Sequence, residues 1–100
     1  MKRVTLHPEA EEELRTSESF YEERDGHRLA LDFVRRVEAT LRFIAEYPER
    51  FPRLPQYRQV QKARMTRFPF SIYYINRDRD IWVIAIAHGK RRPGYWEERI

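Results

Sequence analysis

Two nearly continuous apolar runs, Phe70-Ser71-Ile72-Tyr73-Tyr74-Ile75 and Ile81-Trp82-Val83-Ile84-Ala85-Ile86-Ala87, are separated only by Asn76-Arg77-Asp78-Arg79-Asp80. Short runs rich in β-branched and aromatic residues, bounded by polar residues, read as strands buried on both faces. The polar connection is short enough for an antiparallel hairpin. This pair sets the centre of a sheet, and the rest of the chain has to cover its faces and edges.

The covering elements are set by periodicity. Residues 58–66 read as a further strand, with Lys62 and Arg64 on the face opposite Ala63 and Met65. Pro69 cannot donate to a ladder, so it belongs at a strand entrance or bulge. At the other end Arg3 to Leu6 reads as a short strand, and His7-Pro8 then opens a helix with proline at the first helical position. Glu9, Glu11, Glu12 and Glu13 crowd its first turn, where the helix dipole favours anions, and Ala10, Leu14, Ser17, Phe20 and Tyr21 keep to one side. Asp25-Gly26 stops this helix. A second starts near His27 and carries the stripe Ala30, Phe33, Val34, Val37, Leu41 and Ile44 as far as Tyr47-Pro48. Pro48, Pro52 and Pro55 make residues 48–55 an irregular loop. The expected fold is α+β: a short N-terminal strand, a helical hairpin, then a three-stranded antiparallel meander, with the helices packed on one face of the sheet. A chain of 100 residues has room for one core, so residues 1–100 are expected to form a single domain.

The net charge of +4 hides a segregation. Residues 1–50 carry 9 Lys/Arg against 12 Asp/Glu, whereas residues 51–100 carry 11 against 4. The basic half favours an acidic protein, a nucleic acid or another polyanion as partner. There is no cysteine, hence neither a disulfide framework nor a thiolate zinc site, and no i, i+4 histidine pair, so no metal or cofactor is expected. No apolar run reaches membrane length, and Met1-Lys2-Arg3-Val4 leads into an acidic stretch unlike a signal peptide; a reducing, cytoplasmic setting without membrane contact is expected.

The second apolar run empties into His88-Gly89-Lys90-Arg91-Arg92-Pro93-Gly94-Tyr95-Trp96, and chemistry is expected at that junction because a buried strand fixes the position of the residues at its end. Strict alternation would put His88 on the face of Trp82, Ile84 and Ile86. His88 has the pKa range for acid–base work, although a lone histidine ending an apolar face is more often structural. Arg91 and Arg92 suit a phosphate or carboxylate, or form a solvated pair. Tyr95 and Trp96 are suited to stacking on a base or to capping the core, with capping favoured for Trp96.

Four segments in order carry a family likeness: His7-Pro8-Glu9-Ala10 with Glu13-Leu14; Ile44 with Pro48 and Phe51-Pro52; Arg67-Phe68-Pro69-Phe70 with Ile72 and Tyr74; and Ile81, Val83, Ala85, His88, Arg91, Pro93, Tyr95-Trp96 and Arg99. Together they resemble the RelE/ParE superfamily of type II toxin–antitoxin toxins, with the last segment closest to the ParE-like, plasmid-stabilisation branch. The resemblance implies a growth-inhibiting toxin neutralised by a cognate antitoxin whose tail wraps it, in a groove to which Phe20, Tyr21, Phe33 and Tyr47 are candidate contributors, although aromatics at helical spacing are more often core. It leaves three readings open: inhibition of DNA gyrase as in ParE-like members, ribosome-dependent mRNA cleavage as in RelE-like members, or a non-toxic binding remnant. For cleavage the candidates are Arg64, Arg67, His88, Arg91 and Tyr95. For target or antitoxin binding they are Lys62, Arg64, Arg67, Lys90, Arg91, Arg92 and Tyr95.

Overall fold

The computed structural model describes Met1–Ile100. Strand β1 (Arg3–Leu6) leads into helices α1 (Pro8–Asp25) and α2 (His27–Glu46) and a 3₁₀ turn at Pro48–Arg50. Strands β2 (Val60–Arg64), β3 (Phe70–Asn76) and β4 (Asp80–His88) come next, then a second 3₁₀ turn at Glu97–Arg99. β2, β3 and β4 form the expected antiparallel meander. β1 adds a parallel partner to β4, from Arg3↔Asp80 to Leu6↔Val83, so the sheet is mixed, four-stranded and ordered β1-β4-β3-β2. A parallel partner needs a long crossover, and the helical hairpin supplies most of it.

The helix boundaries obey local chemistry. His7 Nδ1 accepts from the Glu9 N–H at 3.0 Å, capping α1 ahead of Pro8. Gly26 separates the helices with φ 94°, a conformation that glycine adopts without a Cβ penalty. The stripe of α2 meets the sheet as expected: Phe33, Val37 and Ile44 share one buried cluster with Ala10 and Leu14 of α1 and with Ala63, Ile72, Tyr74, Ile81, Val83 and Ile86. Phe33 is fully buried among Tyr21, Phe68 and Phe70, so it belongs to the core and not to a surface groove. Tyr47 is 45% exposed but lies beside Phe43 and Arg50, at the far end of α2. No helix is long and apolar enough to cross a membrane.

Two features depart from a regular alternation. Tyr73 faces Ala85 whereas Tyr74 faces Val83, so Ile84 is an extra residue in β4, a β-bulge. The bulge reverses the alternation beyond it. Ile86 joins Ile81 and Val83 against the helices, while Ile84 joins Val60, Ala85 and Trp96 in a second cluster, which Leu54, Tyr57, Tyr73 and Trp82 flank. The 48–55 loop is also more ordered than three prolines suggest. It contains the 3₁₀ turn and an Arg53↔Gln61 bridge. The fully buried Gln61 donates to Pro48 O at 2.7 Å and Phe51 O at 2.9 Å, and the Tyr74 hydroxyl donates to Pro48 O at 2.6 Å.

Candidate functional site at the basic end of the sheet

Strand β4 outlasts its parallel neighbour. Pairing with β1 stops at Leu6↔Val83, because α1 begins there, and β4 continues to His88 with no strand on that side. Backbone groups at such an edge need other partners. Side chains take the strand's place. Glu13 Oε1 accepts from the Ile86 N–H at 2.9 Å, and Arg99 Nη1 donates to Ile84 O at 3.0 Å. The same two side chains pair with each other at 3.0 Å, with only 10% of Arg99 and 15% of Glu13 exposed. The Tyr95 hydroxyl donates to Glu13 Oε2 at 2.7 Å, and the Arg91 guanidinium lies 3.8 Å over the Tyr95 ring. The segment after β4 is thereby strapped to α1 across the open edge.

Burial raises the phenol of Tyr95 well above its ordinary value of 10.0, and donation to Glu13 and the charge of that carboxylate add to the shift. Its stabilising contribution is therefore complete below pH 10.0, where unfolded tyrosine ionises, and is lost as pH rises towards the higher folded value. Tyr74 behaves alike, through burial first and Glu49 second. Tyr95→Phe should be less stable than the parent chain near neutrality but lose less stability between about pH 10 and 11.5. Urea midpoints across that range test this, and parallel curves would refute it.

His88 ends β4 on the helix side, stacked edge-on to Phe70 at 5.1 Å; the bulge keeps it with Ile86 but removes it from the face of Trp82 and Ile84. Its Nδ1 accepts from the Lys90 N–H at 3.0 Å, so the neutral ring carries its proton on Nε2. A base acting through Nε2 would need the opposite tautomer. The turns beyond β2 and β4 meet where the Gly89 N–H donates to Pro69 O at 2.7 Å, which brings Arg64, Arg67, His88, Lys90, Arg91 and Arg92 to one end of the sheet. The sheet nevertheless divides them. Lys62 and Arg64 alternate with the inward-facing Ala63 and project from the outer face, with Lys62 5.7 Å over the Tyr73 ring. His88 and Arg91 line the other side. Arg67 occupies the tip of the β2–β3 turn at φ 74°, uncommon for a residue with a Cβ. Trp96 caps the outer-face cluster at 1% exposure, as expected.

Between α1 and this end of the sheet runs a groove of ≈ 430 Å³ floored by Tyr21, Phe70 and Ile86, with Phe20, 52% exposed, on its wall. His88 and Arg91 border it opposite Glu12 and Thr16. The sequence singles out Phe20, Tyr21, His88 and Arg91 as site candidates, whereas Glu13 reads there only as a first-turn acid and part of the family likeness. The available signal was its spacing: Glu13 lies three residues after Ala10 and four before Ser17, on the inward stripe of α1.

Residues 4–93 match the family model described as ParE toxin of type II toxin-antitoxin system, parDE. The chain belongs to the ParE toxin family. Comparison with curated proteins gives no significant match. Among solved structures, the chromosomal ParDE TA system from P. aeruginosa superposes with a TM-score of 0.78 at 18% identity, covering 88% of this chain and 96% of that one. Identity that low supports the common fold alone. In this ParE-family chain the family match stops short of Tyr95, Trp96 and Arg99, whereas Glu13 and Arg91, their partners in the strap, lie within it.

Proposed function

We propose that this toxin acts by binding and inhibiting DNA gyrase in the cytoplasm, and that a cognate antitoxin encoded beside it holds it in check. The division of the candidate residues carries the reading. A ribonuclease needs a base, cations and an acid converging on one phosphate. Here Lys62 and Arg64 lie on one face of the sheet and His88 on the other, while the Tyr95 proton is committed to Glu13. Inhibition by binding requires a cationic surface and no convergent catalytic set. For the antitoxin, the apolar groove beside α1, bordered by Arg91 and His88, suits an amphipathic tail that folds on binding.

Purified toxin is expected to block gyrase supercoiling or trap cleaved DNA. His88→Ala should remain within about threefold of the parent, because no proton transfer depends on it, whereas loss of an essential acid or base in a ribonuclease costs roughly 10²–10⁴-fold. Codon-positioned mRNA cleavage on translating ribosomes, with supercoiling untouched, would replace this reading by the RelE-like one. Unimpaired growth from verified soluble protein would indicate a binding remnant.

A further inference from the structure

The turns at the basic end of the sheet carry cations without counter-charge. From Arg58 to Trp96 the acidic residues are Asp78 and Asp80, and both belong to the β3–β4 connection at the opposite end of the sheet. From outside this stretch, Glu12 and Glu13 of α1 face Arg91 across the groove, but Glu13 is engaged by Arg99, Tyr95 and the Ile86 N–H. Glu97 and Glu98 share the second 3₁₀ turn with Arg99, which bonds Ile84 O farther back along β4. Arg64, Arg67, Lys90, Arg91 and Arg92 are all exposed, and none of them pairs with a carboxylate. Arg67 and Arg91 meet only rings, Phe68 at 6.0 Å and Tyr95 at 3.8 Å.

Both turns are held in place. Phe68 is buried in the core between Arg67 and Pro69, and the Gly89 N–H donates to Pro69 O at 2.7 Å. The Lys90 N–H donates to His88 Nδ1 and the Arg91 N–H to His88 O, both at 3.0 Å. β2 and β4 flank β3, so the two sets of cations stand two strand spacings apart, about 10 Å. That separation is too wide for one phosphate and suits a polyanion whose charges are themselves spread out. A DNA duplex presents one negative charge per roughly 1.7 Å of its axis. An acidic protein would need an apolar anchor among the charges, because interface energy concentrates in buried, well-packed side chains. None of the large apolar side chains exposed in this chain belongs to these turns. Phosphate contacts need only cations in a fixed frame.

We propose that the basic end of the sheet binds the phosphate backbone of duplex DNA. The proposal rests on the gyrase reading only for its consequence, that the toxin grips the DNA held by the enzyme as well as the enzyme itself.

The test is the fluorescence anisotropy of a labelled mixed-sequence DNA duplex titrated with the full chain over a range of salt. Each phosphate neutralised contributes roughly −0.9 to the slope of log affinity on log salt, so a slope of about −4.5 is expected, with affinity falling about 10²–10³-fold between about 50 and 200 mM. Arg64→Gln, Arg92→Gln and Arg67→Asn together should bring the slope to about −2, asparagine being chosen because it tolerates the positive φ at that position. Arg28→Gln, Arg35→Gln and Arg42→Gln together remove the same charge from exposed positions on α2 and should leave the slope unchanged, since distant exposed charges are screened. No saturable binding, an unchanged slope in the basic-end variant, or an equal loss in the α2 variant would overturn the proposal. Tighter binding of poly-glutamate would overturn it in favour of an acidic protein surface, and tighter binding of single-stranded RNA in favour of an RNA surface. DNA binding needs no gyrase, so its presence without supercoiling inhibition would unseat only the gyrase reading, and inhibition without DNA binding would unseat only this one.

Discussion

Ile84→Asp should yield no cooperatively folded protein. Ile84 is fully buried at the bulge of β4, packed with Val60, Ala85 and Trp96 between the sheet and its outer cover. An ionised carboxylate there costs several kcal/mol after relaxation, a large share of the roughly 5–15 kcal/mol that stabilises a domain. Protonating it leaves a polar group without a designed partner and still forfeits the isoleucine packing. Ile84→Val, which removes one methylene, should by contrast cost about 1 kcal/mol and keep the fold. Thermal melts recorded in the near and far ultraviolet distinguish the cases. A sharp transition coincident at both wavelengths in the aspartate variant would mean that Ile84 does not occupy an enclosed site.

That the residue lies in a buried strand was legible from Ile81 to Ala87, because a continuous apolar run has few other fates. The face it occupies was not. Alternation carries no mark of an inserted residue, and the insertion at Ile84 shows only in the register of β4 against β3, so strict alternation gives His88 a face shared with Trp82 that it does not have. The helices were legible for the opposite reason. Their stripes, the His7 cap and Gly26 are local signals that tertiary structure reinforced. β1 showed its strand character but not its partner, since a strand of 4 residues does not specify which edge it joins. Gln61 lies on the same side of β2 as Ala63 and Met65, and its burial depends on the carbonyls of Pro48 and Phe51, which only the folded loop brings within reach. At the candidate site the residue types were legible and their convergence was not, because which side of the sheet each one faces depends on register and on the bulge.

Glu13 was hidden among its neighbours. Glu9, Glu11, Glu12 and Glu13 all satisfy the dipole argument for a first helical turn, yet Glu13 alone accepts from both Ile86 and Tyr95. Replacing it by alanine strips three partners at once: the Ile86 N–H, the Tyr95 hydroxyl and the Arg99 guanidinium, which is 10% exposed. The expected loss is about 2–4 kcal/mol, mainly for the Ile86 N–H and Tyr95 hydroxyl left without an acceptor, since Arg99 keeps Ile84 O and Glu9 as partners. Glu13→Gln keeps a neutral acceptor for one of the donors and should fall between the two. Glu11 provides the control, since its pair with Arg15 is about half exposed on both sides and Glu11→Ala should change stability by no more than about 0.5 kcal/mol. Urea unfolding gives the three values, and amide exchange locates the loss: protection should fall first at Ile86 and through residues 95–99, where the strap lets go, while α2 and the β2–β3 pairing keep theirs. If Glu13→Ala costs no more than Glu11→Ala, or if exchange at residues 95–99 is unchanged, then Glu13 does not hold the C-terminal segment. The open half of β4 would then be closed by Arg99, through Ile84 O and Glu9, together with Trp96 packing.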